Sequence, residues 1–255
     1  MRKYLISIEK EGGPRLQNFF AQETFQAVKS DFVIKGVRGA DLQTAEYFRL
    51  GVLGKERPLS PGELGCTLSH LAAYKDFLSS GDQLAVFFED DAIQNQFYDL
   101  NELERKVKEL QLPSGFLLSL GGIQLPYSRK VKGHLLKDKL FEQPILKIHP
   151  FFYKNLSSTY AYMIDRQMAE VLVDFHQTPQ GCDHWADLTN IKPLVGLYAT
   201  HLFEHPPIEG IGSHSYINQE RQDIFKIQNK RISFWHQLKL SLTKRILKYV
   251  LKKYK

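Results

Sequence analysis

Glu89, Asp90 and Asp91 stand together directly after an all-apolar run, Leu84-Ala-Val-Phe-Phe88. Three adjacent carboxylates repel one another unless a cation or a base offsets them. Side by side they form an oxygen-rich site suited to Mg²⁺ or Mn²⁺, and an ion held there can neutralise a diphosphate. The plainer alternative is an acidic loop that opens the next element. A second group lies late in the chain, where His201, His205 and His214 alternate with Glu204 and Glu209. His201 and His205 are four apart, a ligand spacing if helical. Pro206-Pro207 follow, however, and Tyr198 to Phe203 reads as a strand, so a zinc-hydrolase arrangement lacks its helix. Between the two groups, Gln180-Gly-Cys-Asp-His-Trp-Ala-Asp187 carries Asp183, which on local grounds caps the element beginning at His184.

Two elements must position the triplet. Ser60 is a good N-cap, Pro61 falls where a missing N–H is harmless, and Glu63 completes a capping box, so a helix starts here. Leu64, Leu68, Leu71, Ala72 and Leu78 place an apolar stripe on one face until Ser79-Ser80-Gly81 ends the period. Residues 84 to 88 then read as a strand covered on both faces in a mostly parallel sheet. The triplet falls at that strand's carboxyl end, the edge where open α/β sheets bind ligands.

The string PGELGCTLSHLAAYKDF followed by LAVFFEDDA resembles the signature of glycosyltransferase family 25, the bacterial lipooligosaccharide galactosyltransferases and their animal collagen-modifying relatives. Three segments carry the resemblance in order: Gly62 to Cys66, Leu68 to His70, and Glu89 to Asp91. Elsewhere in residues 1 to 215 it rests on the order of features rather than on identities. The resemblance implies an α/β fold of the GT-A, Rossmann-like type. It also implies transfer of a hexose, galactose from UDP-galactose first, to a sugar of lipooligosaccharide or lipopolysaccharide with inversion at the anomeric carbon. Mn²⁺ or Mg²⁺ would sit at Asp91, with Glu89 or Asp90 directly or through water, and His205 or His214 would complete the metal or diphosphate shell. On the donor side the resemblance points to Ile8 at the end of the first strand, Arg15 soon after it, His70, Glu89 and Asp90. Asp183 matches a short family motif of Asp followed by polar and aromatic residues. It is the implied base for the acceptor hydroxyl, since metal-bound acids cannot also take that proton. Two other classes stay open: a metal-dependent hydrolase of nucleotide-sugars or phosphoesters, and a non-catalytic membrane-surface or nucleic-acid-binding module.

The remaining chain is supporting structure. With 255 residues, 43% hydrophobic and 24% charged, it can bury a substantial core. The amino terminus has too few apolar residues for a signal peptide, and no apolar run is long enough to span a membrane. Cys66 and Cys182 make no disulfide framework, so a reducing cytoplasm is expected. Tyr4 to Ile8 reads as the first strand and Arg15 to Val28 as a helix, on which Arg15 could equally be a solvated side chain. Phe32 to Ile34 leads into a Gly36-Val-Arg-Gly39 turn. A helix follows over 97–110 and a strand over 116–120. Residues 123 to 150, rich in Pro and Lys, suggest an irregular basic excursion. Ser157 to Ile164 reads as a strand, and Asp165 caps the helix that follows.

The tail, 226–255, holds ten Lys or Arg and no Asp or Glu, leaving 24 basic against 28 acidic residues in 1–225. Phe234, Leu238, Leu242 and Ile246 repeat at spacings of four, so a basic amphipathic helix beginning near Trp235 is expected beside a catalytic domain of 1–225. Such a helix suits an anionic membrane surface. The acidic body offers no basic groove that would extend a nucleic-acid site. The expected location is therefore the cytoplasmic face of the inner membrane, unless the helix docks on the body.

Overall fold

The computed structural model describes residues 1–186, 188, 195–206, 247 and 251–254. His214, Asp187, Glu209 and nearly all of the tail, including Trp235, lie outside the described residues.

The chain opens with β1 (Arg2–Ile6), α1 (Pro14–Phe20) and α2 (Glu23–Gln26). The single helix expected from Arg15 to Val28 is broken at Gln22, which is extended. Its side-chain amide donates to Ala92 O at 2.9 Å and accepts from Gln94 N at 2.7 Å. A contact between distant segments has overridden local helical preference. β2 (Phe32–Lys35) and the one-turn α3 (Thr44–Tyr47) follow, then α4 (Pro61–Ser79), β3 (Leu84–Glu89), β4 (Ile93–Gln94), α5 (Leu100–Glu109) and β5 (Phe116–Ser119). The last described elements are β6 (Gly133–Leu140), β7 (Gln143–Ile148), β8 (Ala161–Asp165), α6 (Arg166–Phe175), β9 (Gly196–Ala199) and β10 (Phe203–Glu204).

Eight strands form one sheet in the order β2-β1-β3-β8-β5-β9-β7-β6, and β4 pairs with β10 beside it. The strand pairings leave only β7 and β8 running against the other strands of this mixed sheet. β3 lies between β1 and β8 and is apolar from Leu84 to Phe88 because these side chains alternate between two cores. Ala85 and Phe87 join Leu71, Tyr74 and Phe77 of α4 and Met168 and Leu172 of α6. Val86 and Phe88 join Leu16 and Phe19 of α1 and Leu103 and Val107 of α5.

α4 begins with the expected capping box: Ser60 Oγ accepts from Glu63 N at 3.1 Å while Glu63 accepts from Ser60 N at 3.0 Å. Its burial is wider than the predicted stripe. Thr67, Ser69 and His70 are buried along with Leu64 and Leu71, whereas Leu68 and Leu78 are only partly buried. The Val37–Gly39 turn lies against the helix so closely that a Cβ on Gly65 would be 2.5 Å from Val37 O and 2.6 Å from Gly39 N. Glycine is the residue that permits this approach.

Four expectations need correction. The excursion expected over 123–150 contains the β6–β7 hairpin, which turns at Phe141 and Glu142, both with positive φ. An irregularity between Leu135 and Lys139 breaks the period of two that would have revealed the strand. The strand expected from Ser157 begins only at Ala161, because Ser158 has φ +92°. The segment 198–203 divides between β9 and β10. Finally, β1 stops at Ile6 and leaves Ile8 exposed beyond it.

Candidate active site

β1 and β3 are parallel, with Ile6 opposite Glu89, so Ser7 and Asp90 emerge side by side from the carboxyl edge. Ser7 N donates to Lys35 O at 3.0 Å, which fixes this residue, and Ser7 Oγ donates to Asp90 Oδ2 at 2.5 Å. Arg15, in the first turn of α1, lays Nη2 against Asp90 Oδ1 and 3.1 Å from Asp91 Oδ2. The same Asp91 oxygen is 3.4 Å from His205 Nε2, and His205 Nδ1 donates to Pro206 O at 2.6 Å. Asp91 Oδ1 is buried without a hydrogen-bond partner.

The neighbouring aspartates titrate in opposite directions. Burial raises the Asp90 pKa, outweighing the Ser7 hydrogen bond and the Arg15 charge. Burial acts the same way on Asp91, but His205 and Arg15 outweigh it and hold this carboxyl below the usual range. His205 is raised in turn: burial disfavours its cation, and the Asp91 hydrogen bond and charge prevail.

Glu89 belongs to a second set. Its Oε1 accepts from Thr159 Oγ1 at 2.5 Å and lies 3.4 Å from His70 Nε2. His70 has no exposed surface, and its Nδ1 is 2.7 Å from the Tyr162 hydroxyl. His70 therefore orients Glu89 from behind. Asp183 is half-buried in the loop after α6, where Oδ2 accepts from Ser158 N at 3.2 Å. Ser158 and Thr159 thus join Asp183 to Glu89 through a residue whose positive φ is a conformation that clusters at functional sites. Asp183 also lines an open cleft of about 920 Å³ together with Arg57, Glu63, Phe175 and His184.

The predicted residues are thus brought to one edge in two groups. Arg15, Asp90, Asp91 and His205 meet directly, while Glu89 and Asp183 share the Ser158–Thr159 segment. Among the described residues, the set of three His, Cys, Asp or Glu whose ligand atoms approach within 4.8 Å of one another is Cys66, His70 and Cys182, not the expected Glu89, Asp91 and His205.

The sequence model of glycosyltransferase family 25 (LPS biosynthesis protein) matches residues 1–185, a span that holds Arg15, the acidic triplet and Asp183. The chain belongs to glycosyltransferase family 25. A comparison with curated proteins finds no match. Among solved structures, one described as a glucose-1-phosphate thymidylyltransferase from Bacillus anthracis in complex with sucrose has 12% identity and a TM-score of 0.35, covering 90% of this chain and 78% of that one.

In this family 25 chain, Ser7 and Thr159 hold the triplet and were not singled out in the sequence. Ser7 carried a usable signal as the polar residue that follows the apolar first strand, directly before the predicted Ile8. Thr159 carried none, because its partner lies 70 positions away. No helix among the described residues is long and apolar enough to cross a membrane.

Proposed function

We propose that the chain transfers a hexose, galactose from UDP-galactose first among the candidates, to a sugar of lipooligosaccharide with inversion. The observation that supports this reading most is the family pattern gathered at the sheet edge, where Arg15 bridges Asp90 and Asp91 and one Asp91 oxygen is left unpartnered. A buried carboxylate oxygen without a donor suits a hard cation. Asp91 with His205 would hold Mn²⁺ or Mg²⁺, Glu89 and His214 being the further candidates, and the ion would offset charge on the leaving UDP.

Arg15 would meet the diphosphate, since a guanidinium pairs with phosphate as readily as with carboxylate. Ser7 keeps Asp90 oriented, and His70 with Thr159 does the same for Glu89. Asp183 takes the proton of the attacking acceptor hydroxyl, with Ser158 N fixing its carboxylate. The basic tail is the proposed attachment to an anionic cytoplasmic membrane surface, although its described end, Leu251 to Tyr254, contacts the body.

The deciding assay follows UDP release from several UDP-sugars, with and without galactoside, glucoside and N-acetylglucosaminide acceptors, in added Mn²⁺. Release that requires an acceptor supports transfer, whereas equal release without one assigns the site to hydrolysis. Asp91→Asn should abolish turnover, because an amide replaces a carboxylate poorly on a hard ion. Near wild-type turnover in that variant, or undiminished turnover in EDTA, would exclude the metal from the reaction.

A further inference from the structure

Behind Glu89, away from Arg15, three side chains with softer donor atoms converge. Cys66 and His70 lie four residues apart on α4 and therefore project to the same side of the helix. Cys182 reaches them from the loop after α6. One ligand atom of each residue lies within 4.8 Å of the other two, and the two sulfurs are 3.3 Å apart. His70 is fully buried, Cys182 nearly so, and Cys66 partly exposed, which leaves a side from which an ion can enter.

The surroundings have the form of an outer ligand shell. A metal-bound histidine usually carries a hydrogen bond on its second ring nitrogen, which sets the tautomer and the ring orientation. His70 Nδ1 is held at 2.7 Å by the Tyr162 hydroxyl, itself 2.7 Å from the Tyr74 hydroxyl. Nε2 points to the opposite side, where Glu89 Oε1 is 3.4 Å away. Thr159 Oγ1 bonds that carboxylate oxygen and lies 3.4 Å from Cys182 Sγ, so Glu89 borders the cluster. The loop bearing Cys182 is anchored to the same helix by the 2.8 Å bond from Thr67 Oγ1 to Gln180 O.

We infer that Cys66, His70 and Cys182 form a binding site for a thiophilic divalent cation of the zinc class, with Glu89 or a water in the fourth position. Two sulfurs and an imidazole select such an ion over Mn²⁺ or Mg²⁺, which separates this site from the oxygen-lined Asp91 edge. On binding, each thiol releases its proton to solvent, two metal–sulfur bonds and one metal–nitrogen bond form, and no electron is transferred. The ion would tie the loop next to Asp183 to α4 and draw His70 away from Glu89. Two thiols in contact have one chemical alternative, oxidation to a disulfide by an external oxidant such as a peroxide.

The test is Co²⁺ titration of the reduced, metal-free, full-length chain without oxygen. The expected result is one Co²⁺ per chain, with a sulfur-to-cobalt charge-transfer band, the visible bands of a tetrahedral site, proton release, and displacement by Zn²⁺. Cys182→Ser and His70→Gln should each weaken Co²⁺ binding by more than about 10²-fold, the upper range for disturbing an outer-shell partner alone. Asp91→Asn should leave the charge-transfer band intact. The assignment fails if the folded chain, with both thiols free by titration, shows no such band, or if Cys182→Ser retains it undiminished. Isolation of a Cys66–Cys182 disulfide whose reduction gives no cobalt binding would overturn it in favour of a redox pair.

Discussion

Asp90 and Asp91 are adjacent in sequence and chemically equivalent until their neighbours are specified. Asp90 takes the Ser7 hydroxyl and the Arg15 guanidinium, so it is already satisfied and suits a structural role at the edge. Asp91 shares Arg15, meets His205, and keeps one oxygen free for a ligand. Removing the donor to Asp90 should therefore act on stability. Ser7→Ala is expected to lower unfolding free energy by about 1–3 kcal/mol, the range for a buried group deprived of its partner. Urea denaturation would show this as a lower midpoint at unchanged slope. Asp183 differs because its proposed role is in turnover. Asp183→Asn should reduce kcat by roughly 10²- to 10⁴-fold with UDP-sugar affinity little changed. Weakened donor binding with persistent turnover would instead place Asp183 in the donor site.

At the scale of elements, α4 joins the parts of the site. Its amino-terminal half meets the Val37–Gly39 turn through Gly65, its middle carries Cys66 and His70, and Thr67 holds the loop that leads to Asp183. Gly65→Ala would put a methyl group 2.5 Å from Val37 O, so the helix must move away. A loss of about 1–3 kcal/mol is expected from such overpacking, visible as a fall in Tm. The C-cap of α6 adds a pH dependence. Burial, reinforced by nearby His70, Lys55 and His184, pushes His176 down to about 3. Its folded pKa is thus below the unfolded value of about 6.5. The stability it contributes is complete above that value and is lost as pH falls towards about 3. The acid limb should steepen by up to about 1.4 kcal/mol per pH unit from this group. His176→Gln keeps an acceptor for Gln180 N, which lies 3.3 Å from His176 Nδ1, and should flatten that limb in urea unfolding followed below about pH 6.5.

For the molecule as described, the sheet separates two cores and exposes the edge that carries the candidate site. The carboxyl ends of β1 and β3 present Ser7 and the triplet, and the Arg15 helix and the His205 segment close over them. At the far edge, Lys252 pairs with Gly133 of β6, and Leu251 is buried against the core that α4 and α6 share. Residues 251–254 are thus part of the body. Leu251→Ala should lower stability by about 2 kcal/mol, the low end for truncating a buried leucine because the site lies at the sheet margin. An unchanged Tm would show that this docking contributes nothing.

The extent to which the site was legible follows from the range of the interactions that make each part. α4 was readable because a capping box is a contact between residues three apart, and β3 because the part of a strand covered by two cores, here residues 84–88, must be apolar at successive positions. The triplet at the sheet edge followed from those two elements. Sequence also grouped Arg15 with the triplet through family resemblance. Tertiary structure alone decided that Arg15 bridges Asp90 and Asp91, that Gln22 splits the first helix, and that Ser7 rather than Ile8 contacts the acids. It also decided that His70 lies behind Glu89 and that Cys182 reaches Cys66 across 116 positions. Each of these is a pairing between distant segments, whose geometry is set by the packing of the sheet and its helices and leaves no periodic mark in the local sequence.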